Sequence, residues 1–320
     1  MNANVRLPNS TIATTPLGVG LATLMREPSP ERQQRLLAAA FEAGFRHFDV
    51  APSYGLGAAE AALGRFLRTR PAGVTVATKV GILSRGNAGL LRSVQRPARE
   101  LLKRFPALRG RATQVVGAAA HTAPDFSPET MNRSLEASRR ALGVECIDVL
   151  LLHEPQYADL VDGRILEWLS YQKRRGLVQN VGVATSSEAA IAFAARHDAS
   201  IEVLQYPQSI LEDGGASVRL ARGLRVTHSV LARPLATASH RARIDSRWAQ
   251  ELSERAAIDV AAPGELARLL LACALQENDG GIVVVGSSNE EHLRAAARAV
   301  GNFEPAKLTS AAAFLKRTLG

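Results

Sequence analysis

Cysteine is scarce in this chain, with two in 320 residues. Cys146 and Cys273 each lie in an apolar stretch, which argues against a disulfide. Two reduced thiols in the core of a cytoplasmic protein are expected instead. Long hydrophobic runs are missing as well. No apolar run approaches the roughly 20 residues of a membrane-spanning helix. The opening M-N-A-N-V-R-L-P-N-S lacks the apolar stretch of a secretory signal. Histidine, aspartate and glutamate nowhere cluster at metal-ligand spacing. Aromatic residues make up only 5% of the chain. Few fall in the loops after the candidate strands, which favours a polar substrate such as a sugar over a steroid-like one.

Negative charge is short in one region only. The formal charge is +9, and most of it comes from residues 82 to 112. There, eight basic side chains (Arg85, Arg92, Arg96, Arg99, Lys103, Arg104, Arg109 and Arg111) face a single acid, Glu100. The rest of the chain is near neutral. With only Phe105 interleaved among these charges, a base-stacking surface is not expected, and neither is a nucleic-acid partner. A solvated basic insertion is the simpler reading, and an anion-binding lid the alternative.

What is present is alternation. Short apolar runs at 17–21, 45–50, 74–80, 146–152, 178–183, 201–206, 224–229 and 281–286 predict strands. Helix patterns separate them at 29–44, 58–69, 127–143, 162–175, 187–197, 263–276 and 290–300, with one more at 305–318. Ser29-Pro30-Glu31 and Ser127-Pro128-Glu129 open two of these helices, and Gly44 and Gly143 close them. Eight strands alternating with helices, with no linker-like composition shift, predict a single (β/α)8 barrel domain over residues 1–320. It would carry a long basic insertion after the third strand and an extra C-terminal helix. A doubly wound sheet is the runner-up. It is weakened because no Gly-x-Gly-x-x-Gly leads from the first strand into a helix.

In such a barrel, reacting groups belong at the C-terminal ends of the strands. The second strand ends on Asp49, with Tyr54 in the loop beyond. The third ends near Lys79 and the fourth at His153. Each alone has a plain structural explanation, as a cap, a packing aromatic, a solvent-reaching lysine or a core histidine. Together they imply a mutual network, because unpaired charges there would cost several kcal/mol. An ammonium beside a phenol should lower the tyrosine pKa, with the aspartate keeping the lysine charged. Such a tyrosine can give a proton to a carbonyl oxygen or take one from an alcohol, while the histidine orients that oxygen. An electron source is still needed, which implies a hydride-donating cofactor.

D-V-A-P-S-Y-G, A-T-K-V-G and I-D-V-L-L-L-H-E-P resemble the three motif regions of the aldo-keto reductase family. The run F-S-P-E-T-M-N-R-S-L-E-A-S-R-R-A-L-G is also similar, and the likeness extends over nearly the whole chain. By this resemblance Asp49, Tyr54, Lys79 and His153 match the catalytic tetrad, with Tyr54 as general acid/base. The resemblance implies a nicotinamide nucleotide, NADP(H) ahead of NAD(H). Its contacts would include Gly20, Asp49, Thr185, Gln205, His228, Ser229, Gly286, Ser287, Ser288 and His292. Several of these depart from the family pattern. Ala184 and Thr185 stand where Ser-Asn is common, and His228 where an aromatic often stacks on the nicotinamide. Gly286 and His292 stand where basic residues often hold the 2′-phosphate, with Arg233 or Arg294 as possible substitutes. Ser287 and Ser288 open a helix whose amides could hold phosphate, or simply cap it.

The expected activity is hydride transfer between nicotinamide and a small carbonyl, alcohol or sugar. Two alternatives stay open: a non-catalytic nucleotide-binding or regulatory protein on the same fold, and a Schiff-base lyase using Lys79. His121, in the insertion, is either a substrate contact or an exposed loop residue. Trp168 is expected in core packing, and Trp248 in packing or substrate contact.

Overall fold

A computed structural model of the chain describes residues 5–8, 10–27, 29–69, 73–82, 123–197, 200–212, 218, 220, 223–299 and 303–320. Nearly all of the basic insertion, His121 included, lies outside the described residues. The chain starts with a short antiparallel pair, β1 (Val5–Arg6) and β2 (Ala13–Thr14). Eight parallel strands then close into a barrel: β3 (Leu17–Gly20), β4 (His47–Asp49), β5 (Thr75–Val80), β6 (Ile147–His153), β7 (Val178–Ala184), β8 (Val203–Pro207), β9 (Leu224–His228) and β10 (Ile282–Val285). Each lies within two residues of its expected span, and β10 pairs with β3 to close the ring.

The helices between them cover the outside. They are α1 (Pro30–Glu42), α2 (Ala58–Leu67), α3 (Pro128–Leu142), α4 (Arg164–Arg174), α5 (Ser187–His197), α6 (Ala232–Ile244), α7 (Ser246–Ala256), α8 (Glu265–Glu277), α9 (Glu290–Ala297) and α10 (Pro305–Leu319). Pro30 and Pro128 both open their helices, but the two serines differ. Ser29 accepts a hydrogen bond from the Arg32 amide, whereas the Ser127 side chain makes no capping bond; Gly143 takes the left-handed C-terminal position of α3. Helices α6 and α7, in the long stretch after β9, add to the expected set. So does the β1–β2 hairpin, whose strands are too short to show an alternating pattern. Among the described residues, no helix is long and apolar enough to cross a membrane.

Period-two alternation sorts every strand into an outward and an inward face. Outward residues such as Phe48, Leu150 and Val183 pack under the helices. Inward residues Ala77, Val149, Leu151, Val203, Val226 and Ile282 fill the barrel, and Val5 and Leu7 of the hairpin close its lower end. Both cysteines are free, but only Cys273 is buried; Cys146 is half-buried because it sits just before β6 begins. Trp168 and Trp248 are both packing residues. The Trp168 Nε1–H donates to Asn132 at 3.0 Å. The Trp248 Nε1–H donates to Thr318 of α10 at 2.9 Å, with its ring 5.8 Å from Phe314.

One inward residue is ionisable yet far from any solvent. His47 is 1% exposed, and its Nδ1 lies 3.0 Å from the Thr75 hydroxyl. Gly18 makes the room, since a Cβ there would come within 2.9 Å of the His47 ring. Burial pushes the imidazole down from 6.5 to about 4, with the Asp49 charge opposing and the Lys79 charge assisting. The unfolded chain therefore gains a proton below pH 6.5 that the folded chain refuses until about pH 4. Stability from this group should be full above pH 6.5 and fall through that window by about 3 kcal/mol. Urea unfolding of the parent and of His47→Gln from pH 7 to 4 should give a steeper loss for the parent. Equal slopes would show that His47 does not carry this titration.

Candidate active site at the barrel mouth

Strand direction brings the C-terminal ends of β3 to β10 to one rim. Inward parity then selects which side chains meet there. The register pairs Gly20 with Asp49, His153 with Ala184, and Ala184 with Gln205. Asp49, Lys79 and Gln205 are all nearly inaccessible, at 4%, 2% and 3% exposed.

Tyr54 arrives differently, on a tight turn beyond β4. Its amide donates to the Ala51 carbonyl at 3.0 Å, and Gly55 and Leu56 then both take left-handed backbone. Gly55 has to be glycine, because a Cβ would lie 2.1 Å from Met25 Cγ. The turn is pressed against the 3-10 segment Leu21–Arg26, and the phenol is turned back over the mouth.

The Lys79 ammonium joins these groups. It donates to both Asp49 carboxylate oxygens at 2.9 Å, to the Val50 carbonyl at 3.1 Å and to the Tyr54 hydroxyl at 3.4 Å. The Gln205 amide donates to Asp49 Oδ2 at 2.8 Å. The His153 ring stands edge-on to the phenol, with centroids 6.3 Å apart at 85°. The structure thus brings together all four residues singled out for catalysis.

Electrostatics follow from the burial. Desolvation works against the Asp49 charge, but Lys79 and Gln205 outweigh it and hold the carboxyl below its usual range. Desolvation likewise works against the Lys79 charge, and Asp49 with Tyr54 raises it above the ordinary lysine value. The expectation of an acidified Tyr54 is not met. Burial pushes the phenol above its ordinary value, and Lys79 pulls it back only in part, with Asp49 and Glu154 opposing. At neutral pH the tyrosine is therefore a proton donor. His228 is held neutral by burial, and its Nδ1 lies 2.9 Å from the Ser229 hydroxyl.

A dinucleotide needs acceptors and donors along this rim, and unsatisfied polar atoms are present. Gln205 Oε1, Thr23 Oγ1, Gln208 Oε1 and Ser209 Oγ are buried without a protein partner. Thr185 is buried beside Gln205, whose carbonyl accepts from its amide. Gly286 approaches Gly20 and Thr23 so closely that a Cβ there would lie 3.3 Å from the Gly20 carbonyl. From Gly286 a cavity of about 720 Å³ runs between α6, α8 and α9, lined by Leu231, Leu235, Ser239, Arg243, Arg268, Ser287 and His292, among others. A mostly apolar slot with a few polar groups suits a planar base and ribose. These residues fit a nicotinamide dinucleotide.

The remaining candidates sit apart from that slot. Ser288 is exposed, and Asn289 rather than either serine caps α9, accepting from the Glu291 amide. Arg233 and Arg294 do not line the cavity, and Arg294 pairs with Glu290 on the outer face of α9. Sequence reasoning missed Thr23, Arg243, Arg268 and Glu60. Glu60 alone left a signal, as an acid on the apolar side of α2. It is 3% exposed and accepts from the Thr78 hydroxyl at 2.7 Å, tying α2 to the strand that carries Lys79. Burial raises its pKa, and the Thr78 bond opposes.

The model of the Aldo/keto reductase family matches residues 16–309. The chain belongs to that family. It is 30% identical over 213 residues to a D-threo-aldose 1-dehydrogenase of a Pseudomonas species, covering 64% of this chain and 61% of that protein. It is 30% identical over 160 residues to a pyridoxal 4-dehydrogenase of Microbacterium luteolum, covering 49% and 44%. The chain therefore spans less than two thirds of either relative where the two match. In fold it resembles the glycerol dehydrogenase of Gluconobacter oxydans, with a TM-score of 0.68 at 19% identity, over 98% and 94% of the two chains. An aldo-keto reductase of Bacillus halodurans in its holo form gives 0.67 at 18%, over 99% and 96%. At such identities these two structures speak for the fold alone.

Removing one member of the buried pair leaves the other charge stranded. Lys79→Met or Asp49→Leu alone should each cost about 3–5 kcal/mol of unfolding free energy. The two changes combined should cost less than their sum. A double-mutant cycle by denaturant unfolding measures this, and strict additivity would contradict the coupling.

Proposed function

We propose that this family member is a nicotinamide-dependent oxidoreductase that interconverts a small carbonyl compound, or an aldose, with its alcohol or lactone partner. The observation that carries the proposal is the Lys79 ammonium, which donates both to Asp49 and to the hydroxyl of Tyr54. The nicotinamide supplies or accepts the hydride; every proton step belongs to the chain. In reduction, the phenol gives its proton to the carbonyl oxygen, and Lys79 stabilises the phenolate left behind. In oxidation, the phenolate takes the alcohol proton. His153, edge-on to Tyr54, is placed to orient the reacting oxygen. The unpartnered Gln205 Oε1 is placed to accept from the nicotinamide carboxamide while Nε2 stays on Asp49. The names of the aldose and pyridoxal dehydrogenases support a polar carbonyl substrate.

The Schiff-base alternative needs a neutral lysine. Asp49 holds Lys79 charged, which argues against that reading.

For the cofactor, the cavity walls argue for NADP(H) ahead of NAD(H), the order that family resemblance implies. Arg243, Arg268 and His292 line the cavity that runs from Gly286, and among the described residues no carboxylate lines it. Arg268 pairs with Glu265, which leaves Arg243 as the cation to meet a 2′-phosphate there.

Tyr54→Phe should lower kcat/KM by about 10²–10⁴-fold and leave nucleotide affinity, read by fluorescence titration, intact. Undiminished turnover would refute the role of Tyr54. Because burial raises the phenol pKa, oxidation should keep accelerating as pH rises into the alkaline range, whereas reduction should be favoured near neutrality. A flat profile for both directions would contradict a titrating tyrosine. NADPH should exceed NADH in kcat/KM by about tenfold, the discrimination that one charge pair supports, and Arg243→Ala should remove that preference. A preference for NADH in the parent would reverse the assignment.

A further inference from the structure

Glu154 follows His153 directly, and nothing in the proton chemistry above employs it as donor or acceptor. Its backbone is left-handed, with φ of 57°, although it is not glycine. The conformation is held from both sides. Its amide donates to the Ala184 carbonyl at 2.8 Å, extending the β6–β7 ladder past the end of the strand, and Pro155 follows, buried. Non-glycine residues held in this conformation recur at functional sites. The side chain is exposed, and no described residue forms an ion pair with it. It also lies close enough for its charge to act on Tyr54. Among the described residues, the charged groups that act on that phenol are Lys79, Asp49 and Glu154. Lys79 and Asp49 pair with one another, so Glu154 is the unbalanced charge of the three.

We infer that Glu154 selects the substrate: its carboxylate accepts hydrogen bonds from the hydroxyls of an uncharged aldose and turns away carboxylated analogues. This rests on the oxidoreductase reading and names the substrate class for the same site. A carboxylate is an acceptor only, able to hold two neighbouring hydroxyls at once, and its bonds are charge-assisted. In the oxidising direction the C1–H of the ring leaves as hydride to the nicotinamide. The C1 hydroxyl gives its proton to the Tyr54 phenolate, and a lactone is formed. Glu154 takes no part in that transfer.

The test uses galactose, galactosamine and galacturonate with the intact protein and nicotinamide absorbance as the readout. The parent should use galactose best and galacturonate about tenfold or more less well, the discrimination expected of one partly screened charge near the site. Glu154→Gln should narrow the galactose-to-galacturonate ratio at least threefold. Glu154→Ala should raise KM for galactose about tenfold with kcat within a few-fold, and Gln should rescue part of that loss. Matching thermal midpoints for parent and variants would exclude misfolding. Two results overturn the proposal yet leave the oxidoreductase reading standing: an unchanged ratio in Glu154→Gln, or turnover of other carbonyls with none of the three sugars. Absence of nicotinamide turnover with any carbonyl or alcohol overturns both. A galactosamine rate far above that of galactose would replace the aldose by a cationic substrate and overturn the assignment as stated.

Discussion

An ammonium and a carboxylate enclosed near the mouth of a barrel constrain almost everything around them. Lys79 and Asp49 are each too deeply buried to carry a charge alone, and each carries one because the other is 2.9 Å away. With two of its three donors on Asp49, Lys79 shares the third between the Val50 carbonyl and the Tyr54 hydroxyl. The spare lone pairs of Asp49 need a donor, and Gln205 reaches across from β8. Strands β4, β5 and β8 are thus joined through one set of bonds, and the turn carrying Tyr54 is attached to it. A small error in any of these strands would strand a charge in a medium that solvates it poorly.

The same enclosure decides which protonation state the tyrosine rests in. An ammonium alone beside a phenol would acidify it, but Lys79 has already spent most of its field on Asp49. Desolvation then dominates, and the phenol keeps its proton. The lysine matters more after the proton has left, when a phenolate beside it needs a counter-charge. Glu60, on the far side of β5, helps to hold that strand in place through Thr78.

Much of this is legible in the sequence alone. Strand parity is a property of sequence, so Asp49, Lys79 and His153 could be assigned to one rim from their places at the ends of apolar runs. Tyr54 could be added because a proline and a glycine bracket it in a turn. The sign of the tyrosine shift was not legible, since it depends on how much water the fold removes and not on which residues are neighbours. Arg243 and Arg268 were invisible because helices of different sequence position form the wall they share. The hairpin at Val5–Thr14 escaped because two-residue strands carry no periodicity. Of the unsatisfied atoms, Thr23 Oγ1 and Ser209 Oγ belong to residue types so common in loops that sequence offers no reason to select them.

The hairpin has one more effect. Val5 and Leu7 pack into the lower interior of the barrel, below the layer of Val149, Val203 and Ile282. The lower end of the barrel is therefore closed by packed side chains. A ligand can meet Lys79 and Tyr54 from one direction, the open rim, and whatever lies innermost there is covered by whatever lies above it.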